Sequence, residues 1–211
     1  MIKDKITPEL ESKFQTAINK TRENGEEHGF YICEDKKKLF PSELRFGKDS
    51  RINLGDPVVA CHGKKVQGNF HTHSYLTLFK QKSKFMRQGM SDEDVKNFIK
   101  QKHSELIKET GVKGITLDSP SPRDLLISIL YSCIRKPEGI ICVGNDMGNN
   151  NEQLKLSKVE CWAPKEIQKV NCDRAYHTLY SDGKEKDMIA YEPWMIPLFD
   201  KEVINIPKKR K

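Results

Sequence analysis

The sequence predicts an α+β domain, a mixed β-sheet with helices packed on it. Two observations lead there. Stretches with helical apolar spacing alternate irregularly with stretches of strand character, and several strand candidates lie close enough in sequence to form meanders rather than the crossovers of a doubly wound parallel sheet. At 211 residues the chain has room for one core domain with elaborations. No internal repeat divides it.

Residues 8 to 22 put Leu10, Phe14, Ala17 and Ile18 on one helical stripe, and Asn24-Gly25 supplies the stop. Residues 29 to 33 read as a strand, with the polar run 34 to 38 as its turn. Pro57-Val58-Val59-Ala60-Cys61 reads as another strand. A third covers residues 66 to 73, where Gly68 and Asn69 interrupt the apolar pattern and mark a bulge or a close backbone approach. Ser91 is placed to N-cap a second helix with Asp92, Glu93 and Asp94 in its first turn, running through Val95, Phe98, Ile99, Leu106 and Ile107 to Gly111. Residues 112 to 117 read as extended, and 118 to 124 as a loop that feeds a third helix from Asp124 to about Ile134. Residues 139 to 143 and 159 to 162 read as further strands, with 148 to 151 as the turn region between them. From Asn171 the pattern weakens, and residues 191 to 199 read as an extended arm whose aromatics dock on the core or on another subunit.

Hydrophobic residues make up 36% and charged residues 32%, which allows a core beneath a heavily charged surface. The net charge is +7, but 30 acidic residues are interspersed with 37 basic ones, so charge alone points to no nucleic acid. Only the end, Pro207-Lys208-Lys209-Arg210-Lys211, is a concentrated basic run, and it reads as a solvated tail. No apolar stretch approaches the roughly 20 residues that cross a bilayer, and the opening residues lack the apolar segment of a signal peptide. A cytoplasmic protein without membrane contact is expected. The Lys-rich composition with many Glu and Ile resembles that of a thermophile or an archaeon. The six cysteines are scattered without a Cys-x-x-Cys pair, and several sit in apolar runs such as Ile140-Ile141-Cys142-Val143. They read as small core residues, and the expected compartment disfavours a disulfide framework.

In Phe70-His71-Thr72-His73-Ser74 two imidazoles lie two positions apart, a spacing that puts both on one face of a strand. They can converge on one ion, and a hydrolytic zinc site needs a third protein ligand with the fourth position left to water. Asp124 in Pro120-Ser121-Pro122-Arg123-Asp124 stands at the start of a helix, where a rigid turn can aim its carboxylate and the Ser121 hydroxyl into one cavity. The alternative for Ser121 and Asp124 is a plain helix cap.

With these residues the chain resembles the JAMM metalloproteases, also called the MPN or JAB domain. The family pattern is Glu-x-x-Gly, then His-Ser/Thr-His-Pro, then Ser-x-x-Asp. Glu26-Glu27-His28-Gly29, His71-Thr72-His73 and Ser121-Pro122-Arg123-Asp124 supply the three pieces in the family's order. The resemblance covers roughly residues 8 to 164. It implies a single MPN-like domain over 1 to 170, one zinc ion on His71, His73 and Asp124, Glu26 as the proton-transfer base and Ser121 as an oxyanion-stabilising hydroxyl. Ser74 stands where the family has proline. In addition, 47 residues (74 to 120) separate His73 from Ser121 where the family has a short loop. Loop-closure entropy rises slowly with length, so residues 75 to 117 read as an inserted flap beside the metal, and 171 to 211 as a C-terminal extension.

The implied chemistry is hydrolysis of a peptide or isopeptide bond, at the C-terminus of a ubiquitin-like modifier or small carrier protein. Zinc lowers the pKa of its water toward roughly 7, a glutamate moves the proton, and a hydroxyl steadies the developing oxyanion. Glu27 competes with Glu26 for the base, because a one-residue slip on a strand reverses the side chain. Two further readings stand beside the hydrolase: a non-catalytic MPN scaffold within an assembly, and a metal phosphoesterase, since residues 69 to 74 also resemble the opening motif of the PHP family. Oligomeric state has no signature here.

Overall fold

The computed structural model describes residues 2–47, 52–76, 89–134, 139–147, 156–186 and 189–207. Helix α1 (Pro8–Asn24) begins at Thr7, whose hydroxyl accepts the Leu10 N–H at 3.3 Å, and Pro8 occupies the first turn where a missing N–H costs nothing. It ends at Gly25 with φ 76°, a left-handed cap that favours glycine. Strand β1 (Glu27–Asp35) turns through Lys36 and Lys37, both at positive φ, into β2 (Lys38–Pro41), followed by β3 (Arg45–Gly47).

Strand β4 (Lys65–His73) runs antiparallel to β1, with a register shift at Ile32/Cys33, and parallel to β5 (Ile140–Asn145). Opposite that shift, a Cβ on Gly68 would fall 1.8 Å from the Ile140 carbonyl oxygen, so the close backbone approach expected at this glycine is present. Strands β6 (Leu156–Pro164) and β9 (Phe199–Pro207) complete a seven-stranded mixed sheet of order β2-β1-β4-β5-β6-β9, with β3 also paired to β1. The class is α+β, as expected.

Strand alternation sorts the side chains to two faces. Phe30, Ile32, Phe70 and Cys142 meet Leu10, Phe14, Ala17 and Ile18 of α1. On the opposite face Ile141, Val143 and Trp162 meet α4 (Pro122–Ile134) through Leu125, Leu126 and Ile129, and α5 (Lys169–Leu179) through Ala175 and Leu179. Each large apolar side chain buried this way contributes about 1.5–3 kcal/mol. Tyr191, Met195 and Phe199 join this second cluster, so the arm at 191 to 199 does dock on the core. The remaining elements are α2 (Pro57–Ala60), α3 (Asp92–Thr110), the small hairpin β7 (Tyr180–Ser181) with β8 (Lys184–Glu185), and 3-10 turns at Lys3–Lys5 and, within the arm, Ile196–Leu198.

Three expectations are corrected. Residues 57 to 61 are not a strand: Asp56 accepts the N–H groups of Val58 and Val59, Pro57 has the fixed φ of a first helical residue, and a short helix results. Residues 112 to 117 pair in no strand; their hydrogen bonds go to local turns and to the side chains of Glu160, Asn145 and Lys201. The cysteines are more than core fillers, because all six pair, as Cys33–Cys61, Cys133–Cys172 and Cys142–Cys161. These bonds tie β1 to the end of α2, α4 to α5, and β5 to β6. The turn expected at 148 to 151 lies outside the described residues. No described helix is long and apolar enough to cross a membrane.

Candidate metal centre

The centre is built on the end of β4. Period-two alternation sends Phe70 and Thr72 toward α1 and leaves His71 and His73 on the opposite face, where α4 begins. Asp124 meets them there. His71 Nε2 and His73 Nε2 are 3.1 Å apart, and Asp124 Oδ2 lies 3.3 Å from the first and 3.6 Å from the second. Ligand atoms about 2.0–2.1 Å from a tetrahedral zinc are separated by roughly 3.4 Å, so the three donors have the spacing of one face of such a site. They are the one group of three among the described residues whose donor atoms all lie within 4.8 Å of one another.

The electrostatics suit a cation. Burial works to raise the Asp124 carboxyl, but the His71 and His73 imidazoles beside it hold it well below the usual carboxylate range. Burial likewise works to lower His71, and Asp124 outweighs it and raises the imidazole.

Ser121 shares the turn with Asp124. Its hydroxyl donates to Asp124 Oδ2 at 2.7 Å and its N–H does so at 2.8 Å, while the Asp124 N–H returns to the Ser121 hydroxyl at 3.2 Å. This is a capping box. The cap reading and the site reading therefore hold together, since the capping carboxylate is also the one that faces the imidazoles.

The structure separates the two glutamates. Gly29 of β1 pairs with His71, which sets Glu27 two residues along on the same face, across from His73. Glu27 is 8% exposed and lines the cleft; burial pushes its carboxyl up from the ordinary value, against the pull of His73 and His71. Glu26 points elsewhere: its carboxylate takes the Asn24 side-chain amide at 3.2 Å, its N–H bonds the Asn24 side-chain oxygen, and it does not line the cleft. Of the two, Glu27 and not Glu26 lines the cleft, because the phase of β1 sets it beside His73.

Four supporting residues carry no motif and were missed. The Tyr75 hydroxyl lies 2.9 Å from His73 Nδ1. Glu160, fully buried, accepts from Ser119 at 2.9 Å, Thr116 at 3.2 Å, Lys158 at 2.9 Å and Lys201 at 2.9 Å, and so fixes the loop that leads into Ser121. The Tyr191 hydroxyl donates to the Pro120 carbonyl at 2.7 Å, and Asn145 donates to Leu117 and Asp118. A buried acid in the strand Val159-Glu160-Cys161-Trp162 is the one signal that sequence offers, because it shares a face with Trp162. His28 is buried on the far side of the sheet among Thr21 and Thr72, and burial lowers its imidazole.

A cleft of about 930 Å³ opens beside the triad. Asp124, Ile127, Ser128 and Tyr131, at helical spacing on α4, form one wall; Tyr31, Asn69 and Gly68 of the sheet and Ile52, Leu54 and Pro57 are among the residues that line the others. Arg123 is the sole Lys or Arg among the described lining residues, and it is bound to the Glu185 carboxylate at 3.0 Å and the Lys186 carbonyl at 2.7 Å. Of the stretch 75 to 117, only Tyr75 lines the cleft among the described residues. No protein-family model matches the chain, and neither a curated protein nor a solved structure matches it.

Proposed function

We propose that this chain is a zinc-dependent hydrolase of amide bonds, of the JAMM type, with His71, His73 and Asp124 as ligands and Glu27 as the proton-transfer base. The observation that carries the reading is the triangle of donor atoms at 3.1, 3.3 and 3.6 Å on the wall of an open cleft, with a buried carboxylate beside it. Two imidazoles and one carboxylate form a donor set that zinc takes in hydrolytic sites.

A zinc ion held there supplies Lewis acidity, activating water near neutral pH and polarising a carbonyl. The chain's own residues do the rest. Glu27, raised by burial, is suited to accept a proton from the attacking water and return it to the leaving amine. The Ser121 hydroxyl, which donates to Asp124 Oδ2 in the chain without substrate, turns its single proton to the carbonyl oxygen as negative charge develops there. The cleft walls exclude water from one side and give an extended substrate an apolar surface.

An amide is favoured over a phosphate ester by the cleft's charge. Phosphoryl chemistry relies on cationic clamps, and Arg123 is already engaged by Glu185. The substrate in this proposal is a protein, with the C-terminal tail of a ubiquitin-like modifier as the first candidate. The base departs from the family's Glu-x-x-Gly spacing, since Glu27 is two residues before Gly29. A cytoplasmic location belongs to the proposal on one condition: three disulfides persist in a cytosol of the kind found in hyperthermophiles, and otherwise call for an oxidising compartment. The test is hydrolysis of modifier conjugates by zinc-loaded protein, with Glu27→Gln as control. Zinc loading without turnover of any conjugate or peptide would argue for the scaffold reading instead.

A further inference from the structure

We infer that Tyr75 is a positioning residue of the metal centre: its phenol oxygen accepts the Nδ1 proton of His73 and leaves Nε2 as the nitrogen that faces Asp124 and His71. The inference rests on the metal reading above. A neutral imidazole carries one proton on two nitrogens, and the partner of one nitrogen decides whether the other has a lone pair for a cation. His73 Nδ1 has such a partner in the Tyr75 hydroxyl at 2.9 Å. The two rings also pack edge to face, with centroids 5.2 Å apart at 72°, so the phenol holds the imidazole plane as well as its proton.

The backbone keeps the phenol in place. Asp146, at the end of β5, donates its N–H to the His73 carbonyl at 3.1 Å and accepts the Leu76 N–H on Oδ1 at 2.9 Å. One residue just past the neighbouring strand thus clasps the chain on both sides of Tyr75 and fixes the backbone from which the phenol reaches His73. Among the described residues His71 Nδ1 shows no matching hydrogen bond, so the effect falls on one ligand of the pair. Tyr75 also opens the 75 to 117 stretch. How tightly the centre holds its ion is thereby tied to how that stretch leaves the sheet.

The test compares zinc affinity of the full chain and Tyr75→Phe by competition with a chromogenic chelator, alongside thermal melts of both proteins without metal. The phenyl ring keeps the packing and removes the hydroxyl. The inference predicts a 10- to 100-fold weaker zinc affinity with the metal-free melting temperature unchanged. Equal affinity in the two proteins, with zinc bound by both, overturns the role of Tyr75 and leaves the metal reading standing. Failure of the unaltered chain to bind zinc overturns both.

Discussion

Asp124 Oδ2, which faces the His71 and His73 imidazoles, is also the oxygen to which the Ser121 hydroxyl donates at 2.7 Å. One turn of chain therefore serves helix α4 and the candidate centre at once. Ser121→Ala removes a helix cap, which costs about 0.5–2 kcal/mol, and removes a donor at the reacting carbonyl, worth roughly a hundredfold or more in kcat. Denaturant titration and steady-state kinetics on one amide substrate should show both losses.

The two adjacent glutamates should behave differently. Glu27→Gln is expected to lower kcat by about 10²- to 10⁴-fold with zinc content unchanged, because it removes the proton acceptor and no ligand. Glu26→Gln, which alters a contact with Asn24 outside the cleft, should stay within a few-fold of the parent. Kinetics of the two variants side by side check the assignment.

Acid stability should depend on Glu160. Burial works to raise its carboxyl, but hydrogen bonds from Lys158 and Lys201 hold it below the ordinary value. A depressed folded pKa means that the unfolded chain binds the proton more readily, so the stabilisation is complete above the unfolded pKa of about 4.3 and is lost as pH falls through the folded value. Glu160→Gln should cost roughly 1–3 kcal/mol at neutral pH, less than a fully buried pair because both lysines reach solvent. The gap from the parent should narrow below about pH 4 in urea melts taken across the acid range.

Native protein should expose no reactive thiol. Alkylation under non-reducing denaturing conditions should modify none of the six cysteines by intact mass, and reduction should release all six. Replacing Cys33 and Cys61 together by serine should cost about 2–4 kcal/mol by loosening the tie between β1 and α2.

Much of this architecture was legible where local chemistry and long-range packing agree. Ser91 and Gly111 bracket α3, Gly25 stops α1, and His71 and His73 share a face because strand periodicity leaves no other choice. Residues 57 to 61 misled because five residues with no apolar period read equally as strand or helix, and Asp56, the deciding cap, lies just before them. Helix α5 buries Ala175 and Leu179 and few other residues, too narrow a stripe to stand out in sequence, and β9 is held by pairing with β6, which is invisible locally. The choice between Glu26 and Glu27 depends on the phase of one strand, fixed by the pairing of Gly29 with His71 across 42 residues. Cysteine pairing is likewise a matter of three-dimensional proximity; Cys142 and Cys161 meet because β5 and β6 set them opposite each other.

In the proposed centre three side chains from two distant segments hold one divalent ion. Elemental analysis of protein reconstituted with zinc and freed of excess by gel filtration tests it, set beside His71→Ala and Asp124→Ala. The parent chain should carry one zinc, and both variants should lose it. A parent chain that retains none, or variants that retain it in full, would contradict the proposed centre.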